Sequence, residues 1–191
     1  RHIDRVRTLC GTLAEHLRTL PEFRDEINDD FIQTIYQASA LHDIGKVAIP
    51  DRILLKPGRL TRSEFDVMKN HTVIGRQTLD AVHSQYPNNA FISMGLQIAE
   101  PHHERWDGGG YPHHLGGETI PLCARIMAIV DVYDALRSDR PYKHAYSHRE
   151  SVDILCGGRG THFDPRLVDA FENLNTEFAR IREQLHDDSE R

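Results

Sequence analysis

From one end of this 191-residue chain to the other, apolar residues recur at helical spacing, and no stretch shows the period-two alternation of a strand. That limits the fold to helix packed on helix, because each apolar stripe must find another stripe to cover it. Ile3, Val6, Cys10, Leu13 and Leu17 mark a first helix, closed by Pro21. Phe31, Ile32, Ile35, Tyr36, Ala38 and Leu41 mark a second, for which Asp29 or Asp30 is the expected cap. Val47 to Arg59, with two prolines and a glycine, reads as a loop. Thr61-Arg62-Ser63-Glu64 has the form of a capping box and opens a helix with Phe65, Met68, Ile74, Leu79 and Val82 on its apolar side. The next helix carries Phe91, Met94, Leu96, Ile98 and Ala99, and Pro101 should kink or end it.

The helix after Pro121 is apolar nearly all round, through Leu122, Ile126, Ile129, Val130, Tyr133 and Leu136, and is expected at the centre. Ser147-His148-Arg149-Glu150 is a second capping box, leading into Val152, Ile154 and Leu155. Asp164-Pro165 opens a last helix with Leu167, Val168, Phe171, Leu174, Phe178 and Ile181. The expectation is an all-α bundle of roughly seven helices over residues 1–185, followed by a polar tail, 186–191. The chain opens directly on His2 with no turn before it, which suggests a domain cut from a longer chain.

Composition closes off several function classes. A hydrophobic fraction of 39% and a charged fraction of 27% suit a globular protein, and no apolar run approaches the roughly 18 residues of a membrane span. With no signal peptide, a cytoplasmic location is expected. Cys10, Cys123 and Cys156 are scattered among apolar neighbours and read as buried reduced thiols; no Cys-x-x-Cys pair suggests a zinc finger or redox motif. A net charge of −6 argues against binding polymeric nucleic acid through a basic surface, but leaves room for a small anion held by local cations.

The unusual count is histidine, at 13. His42, Asp43, His71, His102, His103 and Asp131, with His2 as a seventh, each fall at or near the inward side of an expected helix. A lone inward histidine is usually a satisfied core residue, and Asp131 alone could bond a buried arginine such as Arg125. Five histidines and two aspartates in one bundle need many partners, and a metal cluster satisfies all of them. Imidazole and carboxylate without thiolate suit iron, manganese, zinc or nickel. Seven ligands are too many for one tetrahedral ion; they suit two ions about 3.5–4 Å apart, bridged by an aspartate and a hydroxide, which is equipment for phosphate-ester hydrolysis. Lys46 could stabilise transition-state charge or protonate a leaving oxygen, or be a surface lysine in a turn. Arg140 and Lys143 follow the Asp131 helix and are candidate phosphate clamps, or else part of a solvated basic loop.

These residues resemble a known family. His42-Asp43-Ile44-Gly45-Lys46 resembles the signature of the HD superfamily of metal-dependent phosphohydrolases. The run from His102 to Pro112 resembles that of its HD-GYP subfamily, with Gly110-Tyr111-Pro112 as the eponymous triplet. His2 to Val6, Ile120 to Tyr142 and Gly160 to Pro165 also match, so the likeness covers nearly the whole chain. It implies an HD-domain bundle around a centre of two or three divalent metals, iron or manganese first, with zinc, nickel or cobalt as alternatives. It implies hydrolysis of cyclic di-GMP to pGpG or GMP through a metal-bridging hydroxide. His2, His42, Asp43, His71, His102, His103 and Asp131 would be the ligands, with Asp43 bridging and Lys46 beside the hydroxide. Arg140 and Lys143 would hold the substrate phosphate. Gly110, Tyr111 and Pro112 would line the site mouth and offer a contact for diguanylate cyclase (GGDEF-type) domains.

The resemblance further implies an N-terminal regulatory domain, a parent chain that can be attached to a membrane sensor, and a possible homodimer. Two departures stand out. The extra glutamate of three-metal members would precede residue 1, leaving metal number open, and Pro101 directly precedes the paired histidines. The competing readings are a catalytically weak module that binds cyclic di-GMP or a cyclase, and a phosphohydrolase for another cyclic dinucleotide.

Overall fold

The computed structural model describes residues 2–139 and 144–185. Among them lie eight α-helices and no named strand: α1 (His2–Arg18), α2 (Asp29–Ala38), α3 (Asp51–Leu54), α4 (Arg62–His83), α5 (Ala90–Ala99), α6 (Leu122–Leu136), α7 (His148–Gly157) and α8 (Pro165–Gln184). The fold class is the expected one. The helix beyond the expected seven is α3, inside the stretch that reads as a loop. Pro50 precedes it with fixed φ, Asp51 occupies its first turn, and Ile53 is buried. Short 3-10 turns, Ser39–Leu41 and Ile44–Ala48, carry the chain past the end of α2.

α6 is the centre. Its residues from Leu122 to Val130 are all buried, and it packs against α1, α5, α7 and α8. From α1 come Val6, Leu9, Leu13 and Leu17, all fully buried. Tyr133 meets Phe171 and Phe178 edge-on at centroid distances of 5.7 and 5.3 Å. Such aromatic pairs add about 0.5–1.5 kcal/mol each beyond the area they bury.

Both capping boxes form as the sequence indicates, at Thr61/Glu64 and Ser147/Glu150, and Asp164 caps α8. The cap of α2 differs. Asn28 accepts from Phe31 N–H at 2.8 Å, while Asp29 and Asp30 sit in the first turn, where their charge meets the positive helix end. Before Pro101 the helix α5 ends at Ala99, and one further bond, His102 N–H to Ile98 C=O at 3.1 Å, carries the chain into the paired histidines. The three cysteines are free; Cys10 and Cys123 are buried, and Cys156 is partly so. The tail 186–191, and with it the end of the expected domain organisation, lies outside the described residues.

Arg125 does not pair with Asp131. Its guanidinium reaches Asp164 at 2.7 Å and the Ile120 carbonyl at 2.9 Å. Burial pushes the Asp164 carboxyl up, but Arg166 and Arg125 outweigh it and hold the group below the usual carboxylate range. A carboxylate depressed in the folded state stabilises the fold above its unfolded pKa of about 3.9 and loses that contribution as pH falls through the folded value. Asp164→Ala is expected to cost about 3–5 kcal/mol at neutral pH, because it strands a buried guanidinium. Chemical denaturation at pH 7 and pH 3 checks this: the gap between wild type and variant should narrow at the lower pH.

Candidate metal centre

Three buried histidines share one local device. The His42 Nδ1–H donates to the Ser39 carbonyl at 2.8 Å, and that of His71 to Met68 at 2.8 Å. That of His102 faces the carbonyls of Ala99 at 3.0 Å and Ile98 at 3.2 Å. A carbonyl can only accept, so each Nδ1 carries the proton and each Nε2 keeps its lone pair. All three Nε2 atoms, together with Asp43 Oδ1, are buried with no hydrogen-bond partner.

They converge. Ligand-type atoms of His71, His102 and His103 lie within 4.8 Å of one another, and so do those of His2, His42 and Asp131. Asp43 stands between the two sets. Its Oδ1 is 3.5 Å from His71 Nε2 and 3.9 Å from His102 Nε2, while its Oδ2 is 3.2 Å from His42 Nε2. Acceptors facing acceptors repel unless a proton or cation lies between them. One proton on His42 would relieve one contact; the whole set needs more positive charge than that. The residues therefore fit divalent cations, and they fit hard or borderline ones, since no thiolate is in the set.

The proton affinities agree with that division. Burial lowers His71 and His102, and takes His103 down to about 3, so these imidazoles stay neutral with a lone pair available. Burial also opposes a charge on His42, but the Asp43 and Asp131 carboxylates outweigh it and draw its pKa up. Burial opposes charge on Asp43 too; His42, then Lys46, hold that carboxyl well below the usual range. Asp131 moves the other way, raised by burial.

Lys46 Nζ lies 2.6 Å from Asp43 Oδ2, so the lysine points at the site. Beside Asp131 and His103 a cavity of about 280 Å³ opens, walled also by Ala135, Leu136, Ser138 and Tyr146. Tyr111 stacks on His103 with centroids 4.9 Å apart, which brings it against the cluster. Gly110, Tyr111 and Pro112 together also line a second groove, with Phe65 and Lys69. A Cβ on Gly110 would lie 2.4 Å from the Arg105 nitrogen and 2.5 Å from the His103 oxygen, so glycine alone lets this loop lie against the histidine pair. Arg140 and Lys143 lie outside the described residues.

Three residues that the spacing did not single out shape the site. Gly45 lets the Asp43 turn touch α4. Asp134 accepts from His2 Nδ1 at 2.7 Å. Glu104 is buried and accepts from the backbone N–H of His113 at 2.6 Å and of Leu115 at 3.1 Å, pinning the glycine-rich loop. Its place directly after the paired histidines was the available signal. Glu104→Ala is expected to leave two N–H groups unpaired at about 1–3 kcal/mol each. The expected result is faster amide exchange over 108–115 with metal content unchanged, read by hydrogen-exchange mass spectrometry.

Comparison with known proteins agrees with the helical bundle. The chain belongs to the HD domain family, whose model matches residues 5–167. It is 45% identical over 186 residues to a cyclic di-GMP phosphodiesterase of Vibrio cholerae serotype O1, covering 97% of this chain and 38% of that protein. It is 40% identical over 186 residues to the 3'3'-cGAMP-specific phosphodiesterase 2 of the same organism, covering 97% of this chain and 33% of that protein. The chain thus spans well under half the length of these relatives. Among solved structures, Bd1817, a HDG"Y"P protein from Bdellovibrio bacteriovorus, shares the fold at a TM-score of 0.66 and 17% identity, covering 92% of this chain and 51% of that one. Among the described residues, no helix is long and apolar enough to cross a membrane.

Proposed function

We propose that this chain is a metal-dependent phosphodiesterase that hydrolyses cyclic di-GMP to pGpG, GMP or both. The observation that carries the chemistry is Asp43, whose two carboxylate oxygens face different imidazole sets at 3.2–3.9 Å. Similarity to a protein named cyclic di-GMP phosphodiesterase, at 45% identity, supports the substrate.

On this reading His71, His102 and His103 hold one divalent ion, His2, His42 and Asp131 hold another, and Asp43 serves both. The nitrogen and oxygen donors suit iron, manganese, zinc or nickel, and the HD-GYP resemblance puts iron or manganese first. Such a pair, when bound, supplies Lewis acidity for the phosphoryl oxygens and an activated water. Lys46 holds a proton at Nζ beside Asp43 and sets a positive charge where negative charge grows on the phosphorane. The cavity beside Asp131 admits the phosphodiester. Tyr111 shields His103 from solvent, and Arg140 and Lys143 clamp the phosphate. The same loop, Gly110-Tyr111-Pro112, is the surface for a GGDEF-type partner.

Similarity to the 3'3'-cGAMP-specific relative, at 40% identity, favours 3'3'-cGAMP as a second substrate. The test is turnover of cyclic di-GMP, 3'3'-cGAMP and GMP analogues by anaerobically purified protein of known metal content. Release of pGpG or GMP from cyclic di-GMP is the expected result. Preference for 3'3'-cGAMP selects the second reading. Full metal occupancy with tight binding and no turnover would overturn both and leave a binding module.

A further inference from the structure

His2 is the outlier of the imidazole set. His42, His71 and His102 are each oriented by backbone carbonyls three or four residues behind them. The partner of His2 is a side chain from another helix, 132 residues away: Asp134 Oδ2, at 2.7 Å. His2 also differs in exposure, with 44% of its side chain open to solvent, where those of His42 and His71 show 2%. Packing alone does not hold this ring.

Asp134 is itself held. Arg5 donates from Nε to Oδ1 at 2.6 Å and from Nη2 to Oδ2 at 3.1 Å, and all three residues lie within the α1–α6 contact. The two-pronged bond fixes the plane of the carboxylate. On α6, Asp134 follows Asp131 by one helical turn, so one carboxylate joins the His2–His42 set while the next stands behind His2.

We propose that Asp134 is a positioning residue that sets the tautomer of His2 and thereby forms the second of the two cation sites. A carboxylate accepts only, so the proton sits on Nδ1 and Nε2 is left as the donor atom toward His42 and Asp131. Arg5 supports it by holding Asp134 still. The proposal rests on the reading of these clusters as metal sites.

Asp134→Asn separates tautomer control from fold. The amide oxygen can still accept from Arg5, but an amide N–H turned toward His2 makes Nδ1 an acceptor and moves the ring proton to Nε2. Mn2+ titration of metal-depleted protein, by calorimetry and electron paramagnetic resonance, is the readout, with thermal unfolding of the metal-free proteins alongside. Wild type should take up two ions. Asp134→Asn should bind one of them normally and the other about 10–100-fold more weakly. In a His2→Ala background the same substitution should cost nothing further, because there is no ring left to orient.

Equal affinity at both sites in Asp134→Asn overturns the role of Asp134 and leaves the metal reading standing. So does an equal loss with and without His2, which is what a merely structural carboxylate gives. Wild-type protein that binds no Mn2+ overturns both. If the metal-free Asp134→Asn protein does not fold, Asp134→Glu keeps the charge opposite Arg5 and displaces the acceptor by one methylene, and the same cycle is read on it.

Discussion

On the proposed function, Asp43→Ala is expected to remove both halves of the metal centre together and to lower cyclic di-GMP turnover at least ~10³-fold, about 4 kcal/mol of transition-state stabilisation. The geometry distinguishes it from substitution of any other residue in the two sets. Asp43 Oδ1 faces His71 and His102, and Oδ2 faces His42 and Lys46. Without it the remaining imidazoles form two separate sets with nothing shared between them. The loss also leaves Lys46 with no carboxylate at 2.6 Å, so its ammonium no longer points at the site. His42→Ala touches one set only and should leave the ion at His71, His102 and His103 partly or fully bound. Metal content by plasma mass spectrometry, measured beside turnover for both variants, checks the contrast. Retention of two ions in Asp43→Ala would show that the carboxylate does not serve both sites.

Much of this site was legible because its signals are local. A helix cap needs residues three apart, and Thr61/Glu64, Ser147/Glu150 and Asp164 are written in neighbouring positions. The apolar run through Leu122 to Val130 announced a central helix, since a helix with no polar face has nowhere to go but the interior. Histidine and aspartate on that interior demanded partners, and the seven residues named from sequence do meet around two points.

What local spacing could not carry were pairings between distant segments. Arg125, the alternative partner for Asp131 if no metal were present, bonds Asp164 instead, 39 residues on. Asp134 looked like any polar helix residue until α1 placed His2 and Arg5 beside it. Asn28 won the α2 cap over Asp29 and Asp30 through backbone direction, with extended φ and ψ of −113° and −177° at the capping position. Gly45 stands in the quoted motif, but the reason for it was hidden: a glycine carries no side chain whose pattern can be read, and its need appears only when another backbone presses on it.

Gly45→Ala is therefore the second substitution expected to be severe. A Cβ there would fall 1.9 Å from the His71 carbonyl oxygen and 2.5 Å from the Gly75 nitrogen. Both obstacles are backbone of α4, so no rotamer change relieves them. The turn Ile44–Ala48 and α4 must separate by about 1 Å, and a displacement of that size at a reacting centre costs on the order of 10²-fold in rate. The separation falls between Asp43 and Lys46 on one side and His71 on the other, widening the 3.5 Å gap between Asp43 Oδ1 and His71 Nε2. Overpacking adds about 1–3 kcal/mol of lost stability. Gly75, on the opposite face of the same contact, provides the control. A Cβ at Gly75 would sit 3.4 Å from the Gly45 nitrogen and 3.5 Å from Ala99 Cβ, close but not closed. Mid-helix, its replacement by alanine gains about 0.5–1 kcal/mol of helix propensity to set against that crowding. Thermal unfolding and metal affinity should therefore collapse in Gly45→Ala and stay near wild type in Gly75→Ala. Similar behaviour of the two variants would show that the turn and the helix are free to move apart without disturbing the site.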